Sequence, residues 1–547
     1  MTLAHKLRTS LASSPLREGP FRLFYFGVIG AALGYTMQTT VSSWLMATLT
    51  PSALMVALVQ TASTLPSLLF GLIAGSLSDI ADRKRVIVVS VVVMVVTVAV
   101  LGLAALAGLI GPVSLLVLTF LVGCGFTFFM PAQQSSINEL VPRSELPQAI
   151  ALGAIAFSAA RAIGPALAGA IAAWVGSGIA LLASAAATVL MLFAVRSWRR
   201  SQAPLPGVPE RVLSGVFSGL RYAWHSAAMR ALIVRNLAFS ICASAFWALL
   251  PVIARDLLGL GAGGFGMLFG CFGAGAVIGA WSIPRQLKVR SVNTIVTWGV
   301  LSWAFAVALV AASSITALAL VGAAIAGASW VGVLASLAAA TQSAAPAWVR
   351  ARAVAMYLVT TQACLALGSA VWGALATAAG IREALFASAA TIVVLLLLIR
   401  RYRVEMGEEA DVTPLVHLPE LVVATEPKPD DGPVLIQIDY RIAPKDRKGF
   451  LLAIRAAEPI RRRSGASNWG VFRDLGDDER FVERYLIASW ADYLRQRARL
   501  TMADRALLDE VERFQREGVP LGVSRLIGVS AEDAFVEVDD ATQRRGA

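Results

Sequence analysis

Three long stretches of this sequence contain no charged residue, and they constrain the fold more than any other feature. They are the 56 residues Leu23–Ser78, the 53 residues Val86–Asn138 and the 59 residues Ser291–Val349. A helix that crosses a bilayer needs about 20 predominantly apolar residues. Each stretch is therefore long enough for two spanning helices, and turn-forming residues near its middle predict the joint between them.

Six further apolar segments bring the predicted number of spanning helices to about twelve. They are Ala149–Trp174, Ile179–Val195, Asn236–Ala254, Leu257–Pro284, Ala353–Thr377 and Ile381–Ile399. The composition agrees, because 57% of the residues are hydrophobic and 15% are charged, whereas soluble domains carry about 25% charged residues. The sequence thus predicts an all-α polytopic membrane protein and excludes one large soluble core.

The basic residues give the predicted helices an orientation. The first 403 residues contain 26 Lys/Arg and 8 Asp/Glu, and most of the basic residues fall in one set of loops, which includes Arg83–Arg85. The opposite loops carry only Arg255 and Arg382. Positively charged loops stay on the cytoplasmic side, so both termini are predicted to be cytoplasmic in a bacterial-type plasma (inner) membrane. The first helix is predicted to be an uncleaved anchor.

The positions of the basic residues and of the cysteines also allow predictions about partners and cofactors. Because the positive charge belongs to membrane-flanking loops, the predicted partners are the lipid bilayer and a small-molecule substrate, with no nucleic acid. The cysteines all lie inside predicted spans: Cys124, Cys242, Cys271 and Cys364. They provide neither a disulfide framework nor the spacing of metal ligands, and no cofactor is predicted.

The membrane part repeats itself at an offset of 204 residues. Six positions coincide: Gly71 with Gly275, Gly75 with Gly279, Gly123 with Gly327, Pro142 with Pro346, Gly164 with Gly368, and Gly169 with Gly373. Glycine allows close helix approach and proline fixes turns, so the coincidences predict two related six-helix halves with a substrate site between them. The alternative is chance coincidence in a Gly- and Ala-rich sequence.

The loop after the second predicted helix reads Gly75-Ser-Leu-Ser-Asp79-Ile-Ala-Asp82-Arg83-Lys84-Arg85 and resembles the signature loop of the major facilitator superfamily. Asp82 stands where that signature has a glycine, and Ile80 where it has a basic residue. The Asp82 variant is similar to the subgroup that contains the enterobactin exporter, also called transmembrane secretion effectors. Other matching segments begin at Pro131, Val141, Arg161 and Pro346.

The resemblance implies alternating access and gives this loop a gating role. The gating-loop residues are Gly75, Asp79, Asp82, Arg83 and Arg85. Asp79 is expected to latch neighbouring helices in the outward-facing state, with Arg83 or Arg85 pairing across the loop. The alternative is that the basic triplet only anchors the loop through lipid phosphates.

The fifth helix carries two further candidate features. Gly164, Pro165 and Gly169 resemble a motif of antiporters, with ordinary small-residue packing as the alternative. Arg161 is the only charged residue deep in a predicted span, and a charged residue at such a place is a candidate functional-site residue. It is expected to face an anionic substrate such as a catecholate or carboxylate siderophore, or else to hydrogen-bond to carbonyls of a neighbouring helix.

Proton antiport, which the resemblance implies, needs a group that protonates between the two transport states. No carboxylate lies mid-span, and the nearest candidates are Glu139 and Asp256, at the ends of the fourth and seventh helices. The first, fourth, seventh and tenth helices face the centre in this superfamily. Their candidate cavity residues are Gln38, Phe129, Gln133, Trp247, Trp330 and Gln342; for the aromatic residues, a lipid-facing belt is the alternative.

The chain changes character from Val404 onward, where 21 basic and 27 acidic residues occur. Residues 404–432 are acidic and proline-dotted, which predicts a linker. The elements predicted after it are strand Val434–Ile442, helix Pro444–Arg463, strands Asn468–Asp474 and Phe481–Ala488, a helix capped by Ser489, and strand Gly522–Val529. This βαββαβ order predicts a small α+β ferredoxin-like domain.

Segments of this tail resemble antibiotic-biosynthesis-monooxygenase-like domains, which dimerise. The matching segments are Gly465–Trp469, Phe481–Glu483 and Ser489-Trp490. Tyr493 stands where related sequences carry a histidine, and nothing supplies a metal, flavin or phosphate motif. A dimerising or regulatory role is therefore predicted for the tail, with a homodimer through this domain, and oxygenation of a polyphenolic or quinone-like compound is the rival.

The predicted organisation has seven parts: an N-terminal segment 1–20, a six-helix half 21–200, a linker 201–230, a second half 231–403, the acidic linker 404–432, the ferredoxin-like domain 433–530 and a disordered tail 531–547. The predicted function is alternating-access export of a small amphipathic, siderophore-like or drug-like molecule, by proton antiport and without enzymatic activity. Because the fold is direction-neutral, import is the remaining alternative.

Overall fold

The computed structural model describes residues 15–142, 145–196, 220–413, 423 and 427–528. In these ranges it has twelve helices of at least 18 residues. They are α1 (Gly19–Leu49), α2 (Ala53–Ile80), α3 (Arg83–Leu106), α4 (Pro112–Leu140), α5 (Leu146–Val175), α6 (Ser177–Arg196), α7 (Ala227–Val252), α8 (Ala262–Gln286), α9 (Val292–Ala312), α10 (Thr316–Ala344), α11 (Ala347–Ala379) and α12 (Ile381–Leu398).

Eleven of these helices are long and apolar enough to cross a membrane, and α1 is the exception. Although α1 has 31 residues, polar side chains at Thr36, Gln38, Thr39 and Thr40 interrupt its apolar character. The prediction of a polytopic helical membrane protein is confirmed. Three predicted helix starts were wrong. The helices predicted from Asn236 and Ala353 begin at Ala227 and Ala347. The helix predicted from Leu257 begins at Ala262, because α7 continues through a π-helical turn, Ile253–Leu257.

The helix joints use the expected local chemistry. Ser52 caps α2 by accepting a hydrogen bond from Met55 N at 3.4 Å, and Asp82 caps α3 by accepting from Arg85 N at 3.2 Å. Gly176 and Gly380 end α5 and α11 with φ of 91° and 111°. Only glycine adopts such angles without strain, and these two positions are again 204 residues apart.

Several repeated glycines lie at matching helix contacts in the two halves. A Cβ at Gly123 of α4 would lie 2.9 Å from Ser63 O of α2, and Gly327 of α10 touches Phe272 of α8. Gly164 of α5 likewise faces α1, as Gly368 of α11 faces α7. The same positions thus allow the same close helix approaches twice, which favours structural repetition over chance.

The chain divides into two compact units. The first comprises Met1–Val208, Ile233–Ala338 and Tyr357–Arg403, which contain most of the helices. The second comprises Val404–Ala547 together with Pro209–Leu232, which leads into α7, and Ala339–Met356, which joins α10 to α11. Two segments from between the helices therefore belong to the same unit as the tail.

The tail contains a four-stranded antiparallel sheet with the order β2-β3-β1-β4. Its elements are α13 (Glu409–Val412), β1 (Val434–Arg441), α14 (Arg447–Arg463), β2 (Ser467–Arg473), β3 (Arg480–Ile487), α15 (Trp490–Ala498), α16 (Met502–Glu512) and β4 (Gly522–Ile527). The predicted single helix after Ser489 was wrong. It ends at Ala498, because Thr501 starts a second helix by accepting from Asp504 N at 3.3 Å.

The core of the tail lies between the sheet and its helices and includes Ile436, Tyr440, Phe450 and Tyr485. Glu483 is 1% exposed and accepts hydrogen bonds from the side chains of Arg461, Trp469 and Tyr440. Removal of the charged partner from a buried ion pair such as Arg461–Glu483 typically costs about 3–5 kcal/mol. This network therefore fixes α14 and β2 against β3.

Candidate substrate pathway and gate

The helix ends define two sides of the membrane unit. The basic side carries the joints near residues 81, 141, 288 and 345, and the opposite side carries those near residues 51, 111, 176, 260, 314 and 380. By the distribution of Lys and Arg, the basic side corresponds to the predicted cytoplasmic face.

Small residues of α5 and α8 bring the two halves into close contact. A Cβ at Gly169 would lie 2.6 Å from Gly266 Cα and 3.0 Å from Ala262 O. A Cβ at Gly273 would lie 3.0 Å from Ala162 Cα, so the contact runs from the opposite side toward the middle of α5. Such backbone-to-backbone packing is possible only where side chains are absent or very small.

A second contact between the halves pairs α2 with α11. Leu54 N donates to Thr377 Oγ1 at 2.9 Å, and Thr61 Oγ1 donates to Ala366 O at 2.8 Å. Gly373 fits directly against Ala57 of α2. The α5–α8 and α2–α11 contacts are related by the repeat, and both close the space between the halves at the opposite side.

Asp256 lies beside this closed region, in the π-helical turn after α7. Its carboxylate accepts from the guanidinium of Arg255, whose Nη1 also donates to Thr50 O at 2.9 Å. The side chain of Asp256 is exposed. The structure therefore places this candidate coupling residue in the joint between α7 and α8, beside the contact of Arg255 with the first half, rather than near mid-membrane.

Arg161 lies near the middle of α5 with an exposed side chain. It is close enough to Tyr35 of α1 for an electrostatic interaction. Tyr35 stacks on Phe126 of α4, with ring centroids 3.7 Å apart, and Phe126 meets Phe157 edge-on at 6.4 Å. Phe157 is one helical turn before Arg161 and shares its face. The guanidinium of Arg161 thus lies beside a wall of aromatic side chains from α1, α4 and α5.

The second half has its own aromatic cluster. Trp247 of α7 packs edge-on against Trp330 of α10 with centroids 5.3 Å apart, and Trp303 of α9 lies 5.8 Å from Trp330. Trp330 is buried, whereas Trp247 is partly exposed. The structure thus brings two predicted cavity residues together and leaves one of them accessible.

The other four predicted cavity residues lie in different surroundings. Gln38 is buried and its Nε2 donates to Ser42 Oγ at 3.0 Å. Phe129 and Gln133 are buried one turn apart on α4, in the packed interior of the first half. Gln342 is exposed near the end of α10 and belongs to the second unit. Their role as cavity residues stays a prediction.

The gating loop makes a defined ion pair on the basic side. Arg83 Nη1 lies 2.9 Å from Glu139 Oε1 and 3.1 Å from Ser135 O, and Arg83 Nε donates to Ser78 O at 3.2 Å. One guanidinium therefore ties the ends of α2, α3 and α4 together. The candidate coupling residue Glu139 is thus a partner of the gating loop, which the sequence did not predict.

The remaining loop and motif residues have simpler surroundings. Arg85 is exposed, and a Cβ at Gly75 would meet no atom within 4 Å. Asp79 lies in the last turn of α2, but its side chain is outside the described atoms. Gly164 packs against Thr36 of α1, while Pro165 is buried inside α5.

Among the described residues, no group of three or more His, Cys, Asp or Glu could hold a metal ion.

Sequence reasoning missed the partners that give these residues their setting. Tyr35 is one turn before Gln38 on α1, and its aromatic ring was the available signal. Gly266 belongs to a Gly-rich segment of α8 whose spacing gives no indication of which helix it meets. Trp303 lies on α9, which is not among the four helices expected to face the centre.

Two six-helix halves in contact across a repeat axis define a membrane transporter of the major facilitator type. The chain belongs to the transmembrane secretion effector family, which it matches over residues 10–533. Its fold is similar to that of a bacterial homologue of the human lysosomal transporter Spinster, in an inward-facing and unoccupied conformation. The TM-score is 0.60 at 15% identity, over 72% of this chain and 98% of that one.

Three other proteins are similar to this chain. The nucleoside transporter NupG has a TM-score of 0.57 at 14% identity, over 70% of this chain and 99% of that one. The multidrug efflux pump Tap of Mycolicibacterium fortuitum is 27% identical over 230 residues, 40% of this chain and 56% of that pump. The MFS-type transporter YfiS of Bacillus subtilis is 24% identical over 31% of this chain and 41% of its own length. The chain thus spans about half the length of the efflux pump that it matches.

Proposed function

We propose that the protein is a secondary active exporter that works by alternating access. The observation that carries the proposal is the paired α5–α8 and α2–α11 contact, which closes one side of the space between the halves. Rocking of the halves about such contacts exposes a central site to one side at a time. The name of the similar pump Tap, a multidrug efflux pump, supports export over import.

The proposed substrate is a small amphipathic molecule with an anionic group and an aromatic or apolar body, siderophore-like or drug-like. Arg161 supplies a cation at mid-helix, and the wall of Tyr35, Phe126 and Phe157 supplies aromatic faces beside it. A cation inside a membrane domain is costly unless something compensates for it. An anionic substrate provides that compensation during each transport cycle.

An accumulation assay tests the proposed direction of transport. Cells that lack their own efflux pumps and produce this protein are loaded with a panel of fluorescent drug-like compounds and catecholates. We expect lower accumulation of at least one anionic aromatic compound than in cells with an inserted but inactive variant. Higher accumulation would indicate import, and equal accumulation across the panel would contradict the proposed substrate class.

Proton antiport is the proposed coupling mode, with Glu139 or Asp256 as the group that protonates. We expect Glu139→Gln combined with Asp256→Asn to abolish efflux driven by a pH gradient while substrate still binds. Because Glu139 is paired with Arg83, Arg83→Gln is the matched control, since it breaks the same ion pair but keeps the carboxyl group. Gradient-driven efflux at the wild-type rate from the double variant would exclude both residues.

We propose that the tail is a ferredoxin-like domain, similar to the antibiotic-biosynthesis-monooxygenase-like domains, and that it dimerises. The sheet order β2-β3-β1-β4 supports this fold. Helices cover one face of the sheet, while Phe472 and Leu526 are 46% and 52% exposed. An open sheet face needs a second layer to cover it, and a second copy of the tail provides one. Oxygenation remains the rival: turnover of a polyphenol by the isolated tail would support it.

Truncation tests the independence of the tail. We expect the protein truncated after Arg403 to insert and to retain substantial efflux, because both six-helix halves lie before that residue. The isolated segment 432–529 is expected to be a soluble dimer, which its mass in solution measures. A monomeric tail together with an inactive truncation would mean that the tail belongs to the transport machinery itself.

A further inference from the structure

The tail contains a cavity between its sheet and its helices. Its volume is about 170 Å³, and an engineered cavity of about 150 Å³ is known to hold benzene. The apolar part of the lining comes from Ile436 and Ile438 of β1, Ile460 of α14 and Leu508 of α16. The cavity is thus large enough for one small ring or a branched aliphatic chain.

The polar part of the lining is cationic. Four arginines line the cavity, and no carboxylate does so among the described residues: Arg461, Arg497, Arg505 and Arg525. Carboxylates outside the lining pair with Arg461 and Arg505: Glu483 lies 3.0 Å from Arg461, and Asp509 and Glu512 lie 2.7 and 2.8 Å from Arg505. Arg525 Nε instead donates to a neutral group, Tyr493 Oη, at 2.6 Å. The guanidinium of Arg525 is thus hydrogen-bonded to a neutral hydroxyl group, which leaves its positive charge available to an anionic ligand.

One buried donor in this wall has no acceptor. Gln496 lines the cavity, is 5% exposed, and its Nε2 makes no hydrogen bond. A buried amide that lacks a partner is costly, so the site is incomplete as it stands. Burial also raises the pKa of Tyr485 to about 12, so this lining phenol keeps its proton at neutral pH. An amide donor without an acceptor, in the same wall as the guanidinium of Arg525, matches a carboxylate ligand.

The residues that form this wall adjoin contacts, inside the second unit, between the tail and the two segments that come from between the helices. Ser464, in the lining, follows Arg463, whose guanidinium carbon lies 5.9 Å from the ring centroid of Tyr222. Arg499, between the lining residues Arg497 and Leu500, lies 4.2 Å from the ring of Trp348.

Those two aromatic residues also contact each other. The rings of Tyr222 and Trp348 meet edge-on with centroids 5.6 Å apart, and Tyr222 Oη donates to Ala344 O at 3.3 Å. Tyr222 precedes α7 in the chain, and Ala344 and Trp348 flank the joint between α10 and α11. Arg463 and Arg499, each next to a lining residue in the chain, therefore contact the segments that adjoin α7, α10 and α11.

We propose that this cavity binds a small carboxylate with an aromatic or branched apolar body, and that the bound ligand regulates transport through Arg463 and Arg499. The ligand's carboxylate accepts hydrogen bonds from Gln496 Nε2 and from the guanidinium of Arg525, and it orders the side chains of the cavity wall. Stabilisation of one arrangement of the second unit opposes the movement that alternating access requires. The bound ligand therefore slows transport. The proposed binding does not depend on the proposed export, whereas the regulatory step rests on that export.

Calorimetry on the full-length protein in detergent tests binding, with benzoate as the probe. We expect saturable binding of benzoate, at least about tenfold weaker binding of neutral benzamide, and a similar loss with Gln496→Leu or Arg525→Gln, as expected for a lost charge-assisted hydrogen bond. Arg513→Gln, on an exposed arginine outside the cavity lining, is the control and should bind normally. Equal binding of benzoate and benzamide, no benzoate binding, or unchanged binding by both cavity variants would overturn the proposal.

Efflux from proteoliposomes tests the regulatory step. We expect benzoate at saturation to slow efflux by wild-type protein about twofold or more and to leave Arg525→Gln unaffected, with both preparations exposed to the same acid concentration. Arg499→Ala should bind benzoate normally in calorimetry but lose the transport response. Unchanged or faster efflux with benzoate bound would refute the regulatory step, while absent efflux without benzoate would count against export alone.

Discussion

Substitution of Gly169 by leucine is expected to reduce transport about tenfold or more, while the protein still inserts in the membrane. Even a Cβ at this position would lie 2.6 Å from Gly266 Cα and 3.0 Å from Ala262 O, so α5 and α8 must separate. Overpacking of this kind typically costs about 1–3 kcal/mol, which weighs against the state in which the opposite side is closed. Efflux rate normalised to inserted protein measures the effect.

The same interface offers a matched control. A Cβ at Gly270 of α8 would lie 3.8 Å from Ala166 Cβ, which is ordinary van der Waals contact. Gly270→Ala is therefore expected to transport at close to the wild-type rate. Wild-type transport by Gly169→Leu would contradict the assignment of the α5–α8 contact as the closed gate, and a large loss with Gly270→Ala would point to a general intolerance of α8.

Arg161→Leu is expected to weaken binding of an anionic substrate by about tenfold to a hundredfold. Hydrogen bonds to charged groups contribute about 1.5–3 kcal/mol, and the accessible side chain of Arg161 lies close to Tyr35. Arg161→Lys keeps the charge but not the planar set of donors, so an intermediate loss is expected. Binding of an anionic compound and of its neutral methyl ester, measured in parallel, checks the result.

The ester comparison separates recognition from folding. A structural role for Arg161 would reduce binding of the acid and the ester equally, and that result would contradict substrate contact. Arg382→Leu removes an exposed arginine at the start of α12 and is the control for loss of one positive charge. It is expected to leave both affinities unchanged.

Local chemistry was enough to predict most element boundaries. Charge-free length predicted the helix pairs, and Ser489 caps α15 as expected, by accepting from Asp492 N at 3.2 Å. The break before α16 was missed because the helical pattern continues through Arg499, and only the Thr501–Asp504 capping pair marks a new start. The boundary between α7 and α8 failed for a related reason, since hydropathy does not distinguish a π-helical turn from the start of a new helix.

Candidate site residues could be singled out one at a time from the sequence, but their partners could not. A lone charge inside an apolar helix drew attention to Arg161, yet its neighbour Tyr35 is 126 positions away in the chain. Glu139 was predicted from its position at a helix end, whereas its ion pair with Arg83 depends on how α3 and α4 pack. Sequence spacing within one helix fixes a face but leaves the facing helix undetermined.

The sequence by itself determined the membrane-spanning class, the number of helices to within one, the two-fold repeat and the separate character of the tail. These depend on composition, helical rise and the conformations that glycine and proline allow, which are local properties. Only the tertiary structure decided which glycines meet across the halves, which acid pairs with Arg83, and that Tyr222 and Trp348 belong with the tail. Those contacts join residues far apart in the chain, and their energies depend on distance and burial, which no local pattern encodes.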